Sequence, residues 1–157
     1  MNNLVKYVIC VVLVELSGFI VGMLMREGTK IYSESIVQPP LSPAPVVFPI
    51  AWTILYALMG IGIARVLMAE ASGARTAAMG FFFAQLVFNL AWSFIFFGAQ
   101  RFDLAFVWLV ILFILALLMA VFFKRVDAVA MYMQIPYLIW LMFAGYLNLG
   151  VWVLNKG

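Results

Sequence analysis

Leu104–Phe123 reads LAFVWLVILFILALLMAVFF, twenty residues without a charge, an amide or a hydroxyl. At 1.5 Å of rise per residue, such a run as a helix matches the hydrocarbon thickness of a bilayer. Arg101 and Asp103 precede it and Lys124 and Arg125 follow it, so its ends are marked by groups that seek water. Four further runs have the same character: Leu4–Met25, Val47–Met68, Ala77–Gly98 and Val129–Leu154. Charged residues fall between the runs, which is the hydropathy pattern of spanning helices joined by short loops. The expected fold is an all-α integral membrane protein, a single domain over 1–157 formed by a bundle of five transmembrane helices.

The composition excludes other classes. Of 157 residues 68% are hydrophobic, against nine Lys plus Arg and six Asp plus Glu, whereas a soluble domain carries about a quarter charged residues. With no His and one Cys, Cys10, the chain has no zinc set, no haem-ligating His, no intrachain disulfide and no Ser/His/Asp or Cys/His machinery. Neither a metal nor a resident cofactor is expected. A formal charge of +3 is too sparse for a nucleic-acid surface, and the basic residues read as headgroup anchors. The first run is too long for a signal-peptide core and lacks an A-x-A site, so it reads as a helix. The cations divide five to four between the two sides, a slight bias toward an internal N-terminus.

The separators are short except for 26–46, which begins REGTKIYSES and runs into QPPLSPAPVVFP (38–49) with Pro39, Pro40, Pro43, Pro45 and Pro49. This reads as a stiff, extended, proline-rich loop at the mouth of the second helix. A loop of this length in a compact protein is more often functional than idle, so it is a candidate lid. Pro136 lies inside the fifth run and predicts a kink.

Polar and aromatic residues recur at helical spacing within the runs. Phe48, Trp52 and Tyr56 share a stripe on the second; Gln85, Asn89, Trp92 and Phe96 share one on the third; Gln134, Tyr137, Trp140, Ala144 and Asn148 share one on the fifth. Lipid requires only aliphatic surface, and amides and indole N–H groups require partners away from it. Together the stripes predict an inward pocket for a large, flat, mostly apolar ligand. Trp152, and Trp108 with it, read as members of the interfacial aromatic belt; Trp52 and Trp140 lie too far inside their runs for that. Glu15 lies near the middle of the first run, where an ionised carboxylate costs about 2.5–3.5 kcal/mol. It marks either a functional site or an interhelical hydrogen bond. Gly18 and Gly22 form a GxxxG pair suited to close helix packing, within the bundle or in a dimer.

Three of these segments carry a resemblance. The proline-rich loop leading into VFPIAWTILYALMGIG, the FNLAWSFIFFG of the third run and the PYLIWLMFAGYLN of the fifth resemble, in that order, the TspO/MBR family of translocator proteins. The resemblance implies a five-helix bundle, commonly a homodimer, that binds porphyrins or related tetrapyrroles, with sterols a weaker expectation, between helices beneath the first loop. By position it implies pocket residues Trp52, Tyr56, Asn89, Trp92, Trp140 and Ala144, to which the stripes add Phe48 and Tyr137. Trp52 and Trp140 resemble the tryptophan pair implicated in light-dependent porphyrin breakdown in some bacterial members, and are the candidate catalytic residues. It also implies a multi-pass protein of a bacterial cell membrane. Two positions depart from the family pattern. Gln38 replaces a basic residue and Leu41 a tryptophan of the loop, so an aromatic cap over the ligand is expected to be missing. A basic residue close after Tyr146, which a sterol-recognition pattern would need, is also absent. Two rival readings remain: a small proton-coupled secondary transporter using Glu15, and a structural membrane subunit packing through Gly18 and Gly22.

Overall fold

The protein is described here as a computed structural model covering residues 2–156. Helices are α1 (Asn3–Leu24), α2 (Arg26–Ser35), α3 (Val47–Met68), α4 (Gly73–Ser93), α5 (Phe102–Val126), α6 (Ala128–Tyr132) and α7 (Ile135–Leu154). A π-helical turn, Phe94–Gly98, continues α4, and no strand occurs among the described residues. Five segments are long and apolar enough to cross a membrane: α1, α3, α4 with its π turn, α5, and α6 with α7.

Helix ends follow local chemistry. The side chains of Asn2, Ser72 and Asp127 accept hydrogen bonds from the backbone N–H groups of Leu4, Arg75 and Ala130, capping α1, α4 and α6. The capped start at Ser72 lets α4 begin ahead of the apolar run that predicts it. Asp103 in the first turn and Lys124 and Arg125 in the last complement the dipole of α5, which therefore extends past both ends of its apolar run. The fifth segment breaks at Met133–Gln134, just ahead of Pro136. Pro136 has no N–H to offer the Tyr132 carbonyl, so the ladder ends there and restarts with proline in the first turn. The buried Gln134 side chain fits into this break, its Nε2 donating to the carbonyls of Ala130 (3.2 Å) and Leu58 (3.4 Å).

The other difference is α2. The sequence reading places a loop over 26–46, whereas residues Arg26–Ser35 are helical and only the stretch after Ser35 is extended. One side of this short polar helix carries Tyr32, buried between the rings of Phe96 (5.4 Å) and Phe97 (5.6 Å), which gives the helix a tertiary anchor that its own composition lacks. Close backbone approach completes the docking. A Cβ at Gly28 would collide with the Phe97 carbonyl.

Packing is most extensive between α4 and α5, then between α1 and α3 and between α5 and α7. The α1–α3 contact is close because Gly60 meets the backbone of Val11, where any side chain would intrude. Met59, Phe82, Leu112, Met119, Phe123, Tyr137 and Leu141 fill the centre. Val14 alone is buried on α1, while Leu4, Val8, Val12 and Phe19 are exposed. That distribution suits lipid contact, where apolar surface needs no burial.

Candidate functional site

A cavity of about 550 Å³ lies at the α2 end of the bundle, enclosed by α1, α2, α3, the end of α4 and α7. That volume falls within the range of small-molecule sites, about 300–1,000 Å³. Its wall is predominantly aromatic. Trp52 stands edge-on to Trp140 at 6.3 Å, Phe48 edge-on to Trp140 at 6.1 Å, and Trp52 tilts over Tyr56 at 5.3 Å. On the far side Trp92 stacks on Phe96 at 4.7 Å, and Phe97 meets both. The π turn accounts for this second group: an extra residue in the turn re-aims the chain after Trp92, bringing Phe96 and Phe97 together under Tyr32.

Six of the eight residues expected from the sequence line this cavity: Phe48, Trp52, Tyr56, Trp92, Trp140 and Ala144. Asn89 and Tyr137 do not. Both are buried behind the wall, where Tyr56 Oη donates to Asn89 Oδ1 (2.7 Å), Asn89 Nδ2 donates to Tyr137 Oη (3.0 Å), and Tyr137 Oη donates to Gln85 Oε1 (2.7 Å). This chain joins α3, α4 and α7 and fixes Tyr56. Tyr137 also touches the back of Trp52 at 6.4 Å. Asn89 and Tyr137 are thus positioning groups. A second tie runs from Trp92 Nε1 to Asn148 Oδ1 (3.1 Å), with Asn148 Nδ2 donating to the Phe102 carbonyl (2.8 Å).

Several lining residues lie outside the three stripes. Tyr32, Thr29 and Arg26 come from α2, Pro45 from the loop, and Glu15, Gly18 and Gly22 from α1. The two glycines do different work. A Cβ at Gly18 would run into the Tyr56 ring, whereas one at Gly22 would meet nothing within 4 Å. Gly18 therefore makes room for a wall residue and Gly22 leaves cavity space open. Gly18 thus serves close packing of α1 on α3, and Gly22 borders the cavity.

The proline-rich stretch is fastened to α7. Asn155 accepts from the Val37 N–H (3.1 Å) and donates to its carbonyl (2.9 Å), Tyr146 Oη donates to the Pro40 carbonyl (2.7 Å), and Pro39 covers Gly150, where a Cβ would strike its ring. Gln38 Nε2 reaches the Tyr32 carbonyl at 3.4 Å. Leu41 turns away. It takes a left-handed backbone (φ 65°), is 81% exposed and lies outside the cavity lining, so the residue at this position does not act as a cap in this arrangement. Burial between aromatic rings pushes the Tyr32 phenol above its ordinary value, which keeps it neutral.

At the opposite end of the bundle, Arg65 grips Asp127 through two nitrogens, Nη2 at 2.8 Å and Nε at 3.1 Å, and its Nη1 reaches Tyr7 Oη at 3.5 Å. This cluster joins α1, α3 and α6. The hydrogen bond from Arg65 and those from the backbone at Ala130 and Val129 hold the Asp127 carboxyl below the ordinary carboxylate range. Trp108 stacks on Phe88 at 4.3 Å and donates to its carbonyl at 2.9 Å, tying α5 to α4. No group of three or more potential metal ligands occurs among the described residues.

Comparison with known proteins agrees with this architecture. Protein CrtK of Rhodobacter capsulatus is 37% identical over 87% of this chain and 84% of its own length. The tryptophan-rich protein TspO of Chlorobaculum tepidum is 33% identical over 98% of both chains, and the translocator protein of Ovis aries 34% identical over 89% of this chain and 84% of its own. The family model described as TspO/MBR matches residues 10–153. A multi-pass membrane chain with five apolar helices, matched over that whole range, belongs to the TspO/MBR family.

Proposed function

We propose that the cavity beneath α2 is a ligand pocket for porphyrins or closely related tetrapyrroles, and that the protein acts as a membrane receptor or carrier for them. The observation that carries this reading is the wall itself: Trp52, Tyr56, Trp140 and Trp92 stand around one cavity, backed by hydrogen bonds that hold two of them in place. A flat macrocycle gains both area burial and stacking there, about 0.5–1.5 kcal/mol per aromatic contact beyond area. The membrane supplies such a ligand by partition, and the docked α2 shields it from water.

Light-dependent breakdown is the second part of the reading. In this reading the reaction draws on the ligand's own photochemistry. An excited porphyrin sensitises oxidation, and the indoles of Trp52 and Trp140 are readily oxidised groups within the wall.

Titration with protoporphyrin IX, read by quenching of tryptophan fluorescence, tests the pocket. Wild-type protein should bind and the Trp52→Ala, Trp140→Ala double variant should bind about tenfold or more weakly. Unchanged affinity would reject the assignment. Under illumination the Soret band of bound porphyrin should bleach faster than that of free porphyrin, and equal rates would remove the photochemical clause.

A further inference from the structure

Several side-chain donors on the cavity wall are already engaged within the protein. Tyr56 donates to Asn89, Trp92 to Asn148, Asn148 to the Phe102 carbonyl, and Thr53 to the Pro49 carbonyl at 2.9 Å. Glu15 is in the opposite condition. It lines the same wall, yet its carboxyl group makes no hydrogen bond and no ion pair among the described residues. Arg26, the cation in the lining, lies on α2 and forms no ion pair with Glu15. Along the helix that carries Glu15, the Tyr56 ring packs over Gly18 one turn on, and Gly22 two turns on leaves open space.

An unpartnered carboxylate at membrane depth is costly, and a positive charge brought to it offsets that cost. The surrounding rings add to the same preference, because the faces of Trp52, Tyr56 and Trp140 attract cations, most strongly where water is excluded. A carboxylate beside aromatic faces favours an apolar cation over an apolar anion of the same shape. We propose that this cavity binds lipophilic organic cations, with Glu15 as their counter-charge. The inference rests on reading the cavity as a ligand pocket, and adds a charge preference that aromatic stacking alone does not produce.

Isothermal titration calorimetry in a nonionic detergent with tetraphenylphosphonium and tetraphenylborate, ions of one shape and opposite charge, tests it. Wild-type protein should bind the phosphonium at least about tenfold more tightly than the borate, and Glu15→Gln should weaken phosphonium binding by about tenfold or more. Glu15→Asp should retain the preference. A wild-type far-ultraviolet circular dichroism spectrum and unfolding midpoint would show that Glu15→Gln is folded. Equal affinity of wild type for the two ions, or equal phosphonium affinity in wild type and Glu15→Gln, would overturn the proposal. Binding of porphyrin but neither ion would overturn the charge preference alone, and binding of none of the three would overturn the pocket reading with it. Should Glu15→Gln fail to fold, the wild-type comparison of the two ions decides.

Discussion

Asn89 illustrates what a single side chain does in this bundle. Its amide accepts from one tyrosine and donates to another, so it uses both ends to join α3 to α7 through α4. Replacing it with alanine strands the Tyr56 hydroxyl in a buried site, which should cost about 1–3 kcal/mol in a reversible unfolding titration in mixed micelles. An effect below about 0.5 kcal/mol would mean that the tie is not holding the wall. Gly18 belongs to the same structure, because Tyr56 cannot swing away from a new methyl while Asn89 holds it. Gly18→Ala is expected to destabilise by about 1–3 kcal/mol in the same assay. The stripes in the sequence identify the helix faces on which Asn89 and Tyr137 lie. They do not say which neighbour covers each face, and in the structure both residues lie one layer behind the cavity wall.

At the scale of elements, α2 is held by a close backbone contact and the far end of the bundle by an ion pair. Gly28→Ala would press a methyl against the Phe97 carbonyl and lift α2. Amide hydrogen exchange over Arg26–Ser35 should then quicken by about tenfold, with α5 unaffected; unchanged exchange would mean that α2 is seated by Tyr32 alone. Asp127 caps α6 and pairs with Arg65. Its carboxyl is held below the ordinary value of about 3.9, so the stabilisation is present above that pH and is lost as the pH falls through the lowered folded value. Asp127→Asn keeps the capping oxygen and loses the charge. It should cost about 0.5–1 kcal/mol at neutral pH and flatten the acid limb of the stability curve. An acid limb identical to wild type would assign that stability elsewhere. Of these elements the proline-induced break was legible, since Pro136 cannot complete the ladder. Neither α2 nor the π turn was, because each depends on the other: Tyr32 is buried only where Phe96 and Phe97 have been re-aimed, and a ten-residue polar helix has no apolar period to announce it.

Across the whole molecule, the five spans could be read directly from hydropathy, because a bilayer imposes a length and a solvent preference that each run meets on its own. The aromatic character of the site could be read too. Its shape could not: the cavity is bordered by the open space at Gly22 on α1 and by α2, a helix that sequence periodicity does not reveal. Gly22 gives the most direct access to that shape, because a Cβ there meets nothing within 4 Å and the position borders the cavity. Gly22→Ala should be nearly silent, whereas Gly22→Leu should fill ligand space while leaving every tryptophan in place. Protoporphyrin titration of these two variants beside wild type, read by tryptophan quenching, is therefore the decisive measurement. The account predicts wild-type affinity for Gly22→Ala and a loss of about tenfold or more for Gly22→Leu; undiminished binding by Gly22→Leu would contradict it.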